Sequence, residues 1–278
     1  MEDEKLKNPK KILLFLNIIT LMSIIATGCS AKLTDSTTEK QKTSKKQEYN
    51  LSTSSEPKEE KHLNTSEEPN KSDKVAYLTF DDGPGEYTSQ VLNILNENKI
   101  KATFFVIGPH AEKYKDFVKQ EKKDGDYVGL HSMTHDYKTL YTQGQFVNEM
   151  KQVQQILQHI IGTRPVLCRP PYGSKPGLTQ NLRDEVATAN LKIWDWTIDS
   201  LDWKYNQVPF DKSVPEIVNN VLSQATEKRE VILMHDIHPQ SVQALPQIIQ
   251  GLKEKGYTFK TYSENEHFSL NFWKDTRL

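Results

Sequence analysis

The sequence contains little cysteine and no excess of charge of either sign. Its 278 residues include only two cysteines, Cys29 and Cys168. Two are too few for a disulfide-rich scaffold or for a zinc site made of four thiolates. Lys and Arg number 36 against 37 Asp and Glu, so we expect no nucleic-acid partner, which requires a basic surface. The mean hydropathy of −0.68 excludes a polytopic membrane protein.

The amino terminus has the pattern of a targeting segment. Lysines within residues 5–11 precede a largely apolar run at residues 12–26. This run is shorter than the roughly 20 residues of a membrane span and fits a secretory signal. Residues 26–29 read ATGC and resemble a bacterial lipobox, in which Cys29 would be lipidated. We predict a lipoprotein-type signal peptide at residues 1–28, with an uncleaved membrane anchor as the alternative.

Residues 29–73 are poor in apolar side chains. From residue 34 onward only Tyr49, Leu51 and Leu63 are apolar, and Ser, Thr, Lys, Asp and Glu predominate. Such a composition cannot bury enough apolar surface to offset the chain entropy lost on folding. We therefore predict a disordered tether, with a random-coil span of roughly 35 Å. It would hold the rest of the chain on the extracytoplasmic face of the bacterial membrane, facing the cell wall.

From residue 74 onward, short β-prone runs alternate with amphipathic segments. Strands are predicted at residues 75–80, 102–107, 127–130, 166–168, 191–196, 231–234 and 257–262. Helices are predicted at 88–99, 145–161 and 242–255, with Gly162 and Gly256 as stops. The alternation predicts an α/β fold with a parallel sheet, either barrel-like or doubly wound.

Ionisable residues recur where these predicted strands end. They are Asp81, Asp82, His131, Arg169, Asp199, Asp202 and His235. Parallel α/β folds gather the carboxyl ends of their strands at one rim. We therefore expect these side chains to meet there.

A pair of histidines and a pair of adjacent aspartates suggest a metal site. His131 and His135 lie four residues apart, so both imidazoles can reach one ion. Asp81 or Asp82 can supply a carboxylate, and two histidines with one carboxylate make a hydrolytic zinc-type site. The alternative is that the two aspartates only cap a turn. Neither the metalloprotease pattern HExxH nor the serine-esterase elbow GxSxG occurs.

Five segments resemble, in order, the motifs of the polysaccharide deacetylases, carbohydrate esterase family four. They read TFDDGP at 79–84, HSMTH at 131–135, RPPYG at 169–173, DSLDW at 199–203 and LMH at 233–235. The resemblance implies a catalytic domain at residues 74–265 and a carboxyl-terminal extension at 266–278. It also implies a distorted (β/α) barrel of about seven to eight parallel strands, close to bacterial peptidoglycan N-acetylglucosamine deacetylases.

The resemblance implies roles for the ionisable residues. A divalent metal would be bound by Asp82, His131 and His135. Zn²⁺ is expected, with Co²⁺ or another divalent ion as the alternative. Asp81 would be the general base, paired with Arg169. His235 would protonate the leaving amine and would be oriented by Asp202.

Further residues follow from the same motifs. The backbone N–H of Tyr172 would stabilise the oxyanion, and Trp203 and Leu233 would wall a slot for the acetyl methyl group. Similar enzymes can carry an α-carbon hydroxyl on the second proline of the third motif, here Pro171. We assign a core position to Phe80, Trp194 and Trp196. Surface or local structural roles are expected for His110, His159 and His238.

These inferences predict a lipid-anchored, metal-dependent enzyme that acts as a monomer. It would remove N-acetyl groups from N-acetylglucosamine residues of peptidoglycan or related surface glycans. Chitin oligomers, exopolysaccharides and O-acetyl esters are alternative substrates. The motifs do not separate them, because the loops that form the sugar-binding subsites decide among them. A non-catalytic glycan-binding surface lipoprotein is the alternative from a different class, and the intact set of motif residues argues against it.

Overall fold

The structure is a computed structural model that describes residues 73–278. The predicted signal peptide at 1–28, Cys29, and all but the last residue of the predicted tether at 29–73 lie outside the described residues. Within residues 73–278, no helix combines the length and the apolar character needed to cross a membrane.

A parallel sheet forms the centre of the described region. Its strands are β1 (Val75–Asp81), β2 (Thr103–Val106), β3 (Tyr127–Leu130), β4 (Leu167–Cys168), β5 (Lys192–Ile193), β6 (Ile198–Asp199), β7 (Arg229–His235) and β8 (Thr258–Phe259). Their order is β5-β4-β3-β2-β1-β7-β6, and β8 pairs with the first residues of β1. The central strand β1 is buried almost throughout, which explains its nearly continuous apolar sequence.

The sheet curls into an open, distorted barrel. β5 and β6 lie at opposite ends of the hydrogen-bonded path, yet only residues 194–197 connect them. Seven flat strands would span about 29 Å at about 4.8 Å per strand. The chain from Ile193 to Ile198 reaches at most about 18 Å, so the sheet bends until its edges approach each other. The predicted barrel-like fold is confirmed.

Helices pack against the sheet. Within the described range they are α1 (Thr88–Glu97), α2 (Gly108–Lys113), α3 (Lys115–Asp124), α4 (Phe146–Ile161), α5 (Gln180–Thr188), α6 (Phe210–Gln224) and α7 (Pro239–Glu254). Apolar spacing predicts α1, α4 and α7, and Gly162 ends α4 in the left-handed conformation as expected. The other four were not predicted: α3 and α5 are mostly polar, and α2 begins with Gly-Pro. The helix α6 has apolar residues at helical spacing, Val214, Ile217 and Val221, but Pro215 interrupts the pattern.

The strand predicted at 191–196 is shorter in the structure, and β6 was not predicted. The chain leaves the sheet after β5, where Trp194 forms a bridge with Leu270. It then crosses to the opposite edge of the sheet, where β6 pairs with β7. A crossing of this kind depends on the closure of the barrel and leaves no local signal in the sequence.

The carboxyl-terminal segment, residues 266–278, packs against the connection between β5 and β6. The buried Asp195 carboxylate in that connection accepts the N–H of Phe272 at 2.6 Å. It also accepts the N–H and the hydroxyl of Ser174 at 2.8 and 2.6 Å. Asp195 therefore joins the carboxyl-terminal segment to the loop that follows β4.

Asp195→Ala should lower the free energy of unfolding by about 2–4 kcal/mol, because two main-chain N–H groups lose their acceptor. Asp184→Ala is the control, since Asp184 pairs with Arg277 of the same segment at 2.8 Å but on the surface. We expect that variant to lose less than about 1 kcal/mol. Urea denaturation measures both, and equal losses would contradict the role assigned to Asp195.

Candidate active site

Strand register brings the predicted site residues to one rim of the barrel. Asp81, the last residue of β1, is paired with His235, the last residue of β7. On the other side of β1, the N–H of His131 donates to the carbonyl of the last residue of β2 at 3.0 Å. The N–H of Arg169 likewise donates to the carbonyl of the last residue of β3 at 3.0 Å. Residues from separate motifs therefore lie side by side.

Asp82, His131 and His135 form a candidate metal site, with their ligand atoms all within 4.8 Å of one another. Nε2 of His131 and Nε2 of His135 lie 3.3 and 3.4 Å from Oδ1 of Asp82. This oxygen is buried and accepts no hydrogen bond within the described part of the chain. Because a buried carboxylate oxygen without a donor is costly, the three residues fit a bound divalent cation.

The charges around Asp82 keep its carboxylate ionised. Burial alone would raise its pKa, but the nearby imidazole of His131 and the charges of His131, His235 and His135 lower that pKa below its usual range. In turn, Asp81 and Asp82 raise the pKa of His131 although its burial opposes this. Anionic and cationic groups therefore stabilise one another across the site.

Glu149 supports the loop that carries His131 and His135. From α4, its buried carboxylate accepts the N–H groups of Met133 and Thr134 at 2.9 and 3.0 Å, and also the Thr134 hydroxyl. Glu149 belongs to none of the five sequence motifs and was not predicted. The available signal was a charged residue beside Met150 on the apolar face of the predicted helix.

Two further hydrogen bonds orient the metal-site residues. Nδ1 of His131 bonds the carbonyl oxygen of Arg169 at 2.7 Å, which leaves Nε2 directed at Asp82. Nδ1 of His110 bonds the carbonyl oxygen of Asp82 at 2.6 Å. His110, for which the sequence predicts only a local or surface role, thus contacts the backbone of a metal-site residue.

Asp81 and Arg169 form a buried ion pair. Nη1 of Arg169 lies 2.9 Å from Oδ1 of Asp81 and 2.6 Å from the hydroxyl of Thr79. The other guanidinium nitrogens donate to main-chain carbonyls of the β5–β6 connection. Oδ2 of Asp81 lies 3.8 Å from Nε2 of His131, so this second oxygen faces the metal site.

His235 is held by Asp202 on the far side of the site. Nδ1 of His235 lies 2.8 Å from Oδ1 of Asp202, whose other oxygen accepts the His235 N–H and the Ser241 hydroxyl. Nε2 of His235 lies 3.9 Å from Oδ2 of Asp82. Burial disfavours a charged imidazole, but Asp202 raises the pKa of His235 to about 10. The buried Asp202 carboxylate therefore favours the protonated form of His235.

A cleft of about 460 Å³ opens over these groups. Its remaining walls are Pro170, Tyr172, Trp196, Asp199, Trp203 and Leu233. Tyr172 and Trp203 are 58% and 48% exposed, whereas Leu233 is buried. The assignment of Trp196 to the core is wrong, because its ring is partly exposed and lines the cleft. At this residue the chain has already left the sheet after β5.

The loop that carries Tyr172 is held on two sides. Tyr172 has a left-handed backbone, with φ of 65°, which is unusual for a bulky residue. Its hydroxyl donates to the carbonyl of His135 at 2.8 Å. The carbonyl of Pro171 accepts the hydroxyl of buried Tyr141 at 2.7 Å. The proposed oxyanion donor thus lies in a constrained loop beside a metal-site histidine.

Comparison with known proteins identifies the class. Residues 68–194 match the family described as Polysaccharide deacetylase. A peptidoglycan-N-acetylglucosamine deacetylase of Bacillus cereus is 51% identical over 263 residues, which cover 94% of this chain and 96% of the relative. The chain therefore belongs to the polysaccharide deacetylase family and is a hydrolytic enzyme, as its five motifs predict.

Solved structures agree with this conclusion. The crystal structure of the polysaccharide deacetylase Bc1974 from Bacillus cereus is 57% identical, with a TM-score of 0.73 over 74% of this chain and 100% of that chain. A family 4 carbohydrate esterase from Streptomyces lividans, solved in complex with acetate, is 33% identical. It has a TM-score of 0.60 over 71% of this chain and 98% of that chain.

Glu149→Ala should weaken metal binding about ten- to hundredfold, because the ligand-bearing loop loses its main-chain acceptor. Zinc affinity can be measured by competition with a chromogenic chelator. Glu185→Ala, at an exposed position on α5, is the matched control and should bind zinc normally. Wild-type affinity in Glu149→Ala would contradict a supporting role for that carboxylate.

Proposed function

We propose that the protein is a metal-dependent hydrolase that removes N-acetyl groups from N-acetylglucosamine residues of peptidoglycan. The observation that carries this proposal is the Asp82–His131–His135 cluster at the base of an open cleft, flanked by Asp81 and His235. The name of the relative with 51% identity supports this substrate. The intact set of ionisable groups argues against a purely glycan-binding role.

Asp82, His131 and His135 would hold the metal ion. Two imidazole nitrogens and one carboxylate oxygen match the ligand set of a catalytic Zn²⁺ with an open position; Co²⁺ or another divalent ion is the alternative. When bound, such an ion supplies Lewis-acid polarisation of a carbonyl and makes water more acidic.

Asp81 would accept the proton of the attacking water. Its Oδ1 is engaged by Arg169, so Oδ2, which faces His131, is the oxygen available as base. The guanidinium keeps the carboxylate oriented and favours its ionised form. Arg169 thus acts through Asp81 as a positioning residue.

His235 would protonate the departing amine. Its Nδ1 is engaged by Asp202, so Nε2 is the atom that carries the mobile proton toward the cleft. An amine is a poor leaving group unless it is protonated as the C–N bond breaks. A histidine kept protonated by a buried carboxylate suits that step.

The remaining motif residues would bind the acetyl group. The backbone N–H of Tyr172 would donate to the oxygen that gains negative charge in the tetrahedral intermediate. Trp203 and Leu233 line the cleft and would enclose the acetyl methyl group. The constrained Pro171–Tyr172 segment would keep the donor in place without reorganisation.

The first test is acetate release from purified peptidoglycan, with and without a chelator. We expect release that stops on metal removal and returns with Zn²⁺. Asp82→Ala and His131→Ala should lose both the metal and the activity while remaining folded. His159→Ala, an exposed histidine on α4, is the control. Full zinc content in either ligand variant by elemental analysis would overturn the ligand assignment.

The same assay distinguishes the alternative substrates. Chitin oligomers, a partially acetylated exopolysaccharide and an O-acetylated glycan are supplied in parallel at matched acetyl concentration. Activity confined to the O-acetylated glycan would make the protein an esterase and would overturn the proposed N-deacetylase function.

A second test separates the acid from the base. His235→Ala should impair N-deacetylation of a sugar oligomer by about 10²–10⁴-fold but impair aryl acetate hydrolysis far less, because a phenolate leaves without protonation. Asp81→Asn should impair both reactions, since both need water activation. The measurement is kcat/KM for each variant on each substrate. Equal losses for His235→Ala on the two substrates would refute its role as the leaving-group acid.

We further propose that lipidated Cys29 anchors the enzyme to the outer face of the cytoplasmic membrane. The lysines, apolar run and ATGC segment of residues 5–29 support this location. Mass spectrometry of the membrane fraction should find an acyl chain on Cys29 of the wild type. Cys29→Ala should remain unprocessed, whereas Cys168→Ala should be acylated normally. An unmodified Cys29 in the wild type would favour the uncleaved anchor instead.

A further inference from the structure

Two exposed aromatic rings form a surface that leads away from the metal-site histidines. The ring of Tyr172 lies 4.7 Å from the ring of His135, and the ring of Tyr137 lies 5.9 Å from that of Tyr172, between centroids. Tyr137 is 42% exposed. Tyr172 lines the cleft and Tyr137 does not, so Tyr137 extends this surface beyond the cleft.

The ring of Tyr137 is held in place from behind. Tyr141 contacts it edge-on at 4.9 Å, and the hydroxyl of Tyr141 is itself bonded to the carbonyl of Pro171. Asp136 accepts the N–H and the hydroxyl of Thr139 at 2.8 and 2.7 Å, which stabilises the turn after Tyr137. Because the ring is already positioned, ligand binding would cost little conformational entropy.

The chemistry of this surface fits a sugar ring. A pyranose has flat faces of C–H groups and a polar edge of hydroxyls, so it matches a side chain with an apolar face and a polar tip. The Tyr137 hydroxyl has no hydrogen-bond partner among residues 73–278 and is free to bond a sugar hydroxyl. Tyr141, in contrast, is buried and engaged, so it supports the surface and does not offer a ligand contact.

We propose that Tyr137 is a second sugar-binding position, one aromatic ring beyond Tyr172. It would stack on one sugar of a glycan chain while the N-acetyl group of the adjacent sugar lies at the Asp82–His131–His135 cluster. This inference rests on the proposed deacetylase function and adds to it that Tyr137 binds a second sugar of the glycan chain. A lone N-acetylated sugar would not reach Tyr137.

The test compares the zinc-loaded wild type with Tyr137→Ala and Tyr137→Phe. Tyr137→Ala should raise KM for an N-acetylglucosamine tetramer by about tenfold and leave kcat for that tetramer near the wild-type value. Hydrolysis of aryl acetate, which has no second ring, should not change. Tyr137→Phe keeps the ring and should stay within about threefold of the wild type. Tyr114→Ala is the control, since Tyr114 stacks on Phe117 and does not line the cleft.

Binding is measured separately from turnover, by calorimetry with the tetramer. If the wild type binds the tetramer through Tyr137 but releases no acetate from any glycan, the proposed function fails and the sugar-binding position stands. If Tyr137→Ala binds and turns over the tetramer as the wild type does, the sugar-binding position is wrong and the proposed function stands. Equal losses on the tetramer and on aryl acetate would also overturn the inference, because they would indicate a distorted site.

Discussion

The guanidinium of Arg169 is fully buried and donates to the Asp81 carboxylate, the Thr79 hydroxyl and the carbonyls of Trp194 and Asp195. Breaking a buried ion pair by removing one partner costs about 3–5 kcal/mol, because an uncompensated charge remains. β1, β4 and the β5–β6 connection therefore have to keep their relative positions. Lysine, with a single charged nitrogen, cannot serve these diverging acceptors at once. The position of the Asp81 carboxylate thus depends on this one side chain.

Asp81 and Asp82 are neighbours in the sequence, but the fold gives them different surroundings. Asp81 completes β1 and meets the guanidinium, whereas Asp82 has a left-handed backbone, with φ of 68°, and meets the two histidines. The chain then continues through Gly83, where a side chain would collide with the Asp236 carboxylate. A single backbone turn therefore gives two chemically identical carboxylates different environments, one beside a guanidinium and the other beside two imidazoles.

Contacts outside the motifs hold the rim together. The carbonyl oxygen of Asp195 accepts a hydrogen bond from the Arg169 guanidinium, and its carboxylate accepts the N–H groups of Ser174 and Phe272. The carboxyl-terminal segment is in this way coupled, through Arg169, to Asp81 and also to the loop that carries Tyr172. Since main-chain groups make most of these contacts, no distinctive residue type marks them in the sequence.

The sequence by itself determined the family, the barrel class and the central strand, because buried apolar runs and motif spacing are local signals. It also identified His131 and His135 as a pair, since four-residue spacing limits how far two imidazoles can separate. Only the tertiary structure decided that Trp196 borders the cleft, that Glu149 holds the loop between His131 and His135, and that Tyr137 adjoins Tyr172. Each of these positions depends on how distant segments meet around a closing sheet, and local residue patterns carry no information about that geometry.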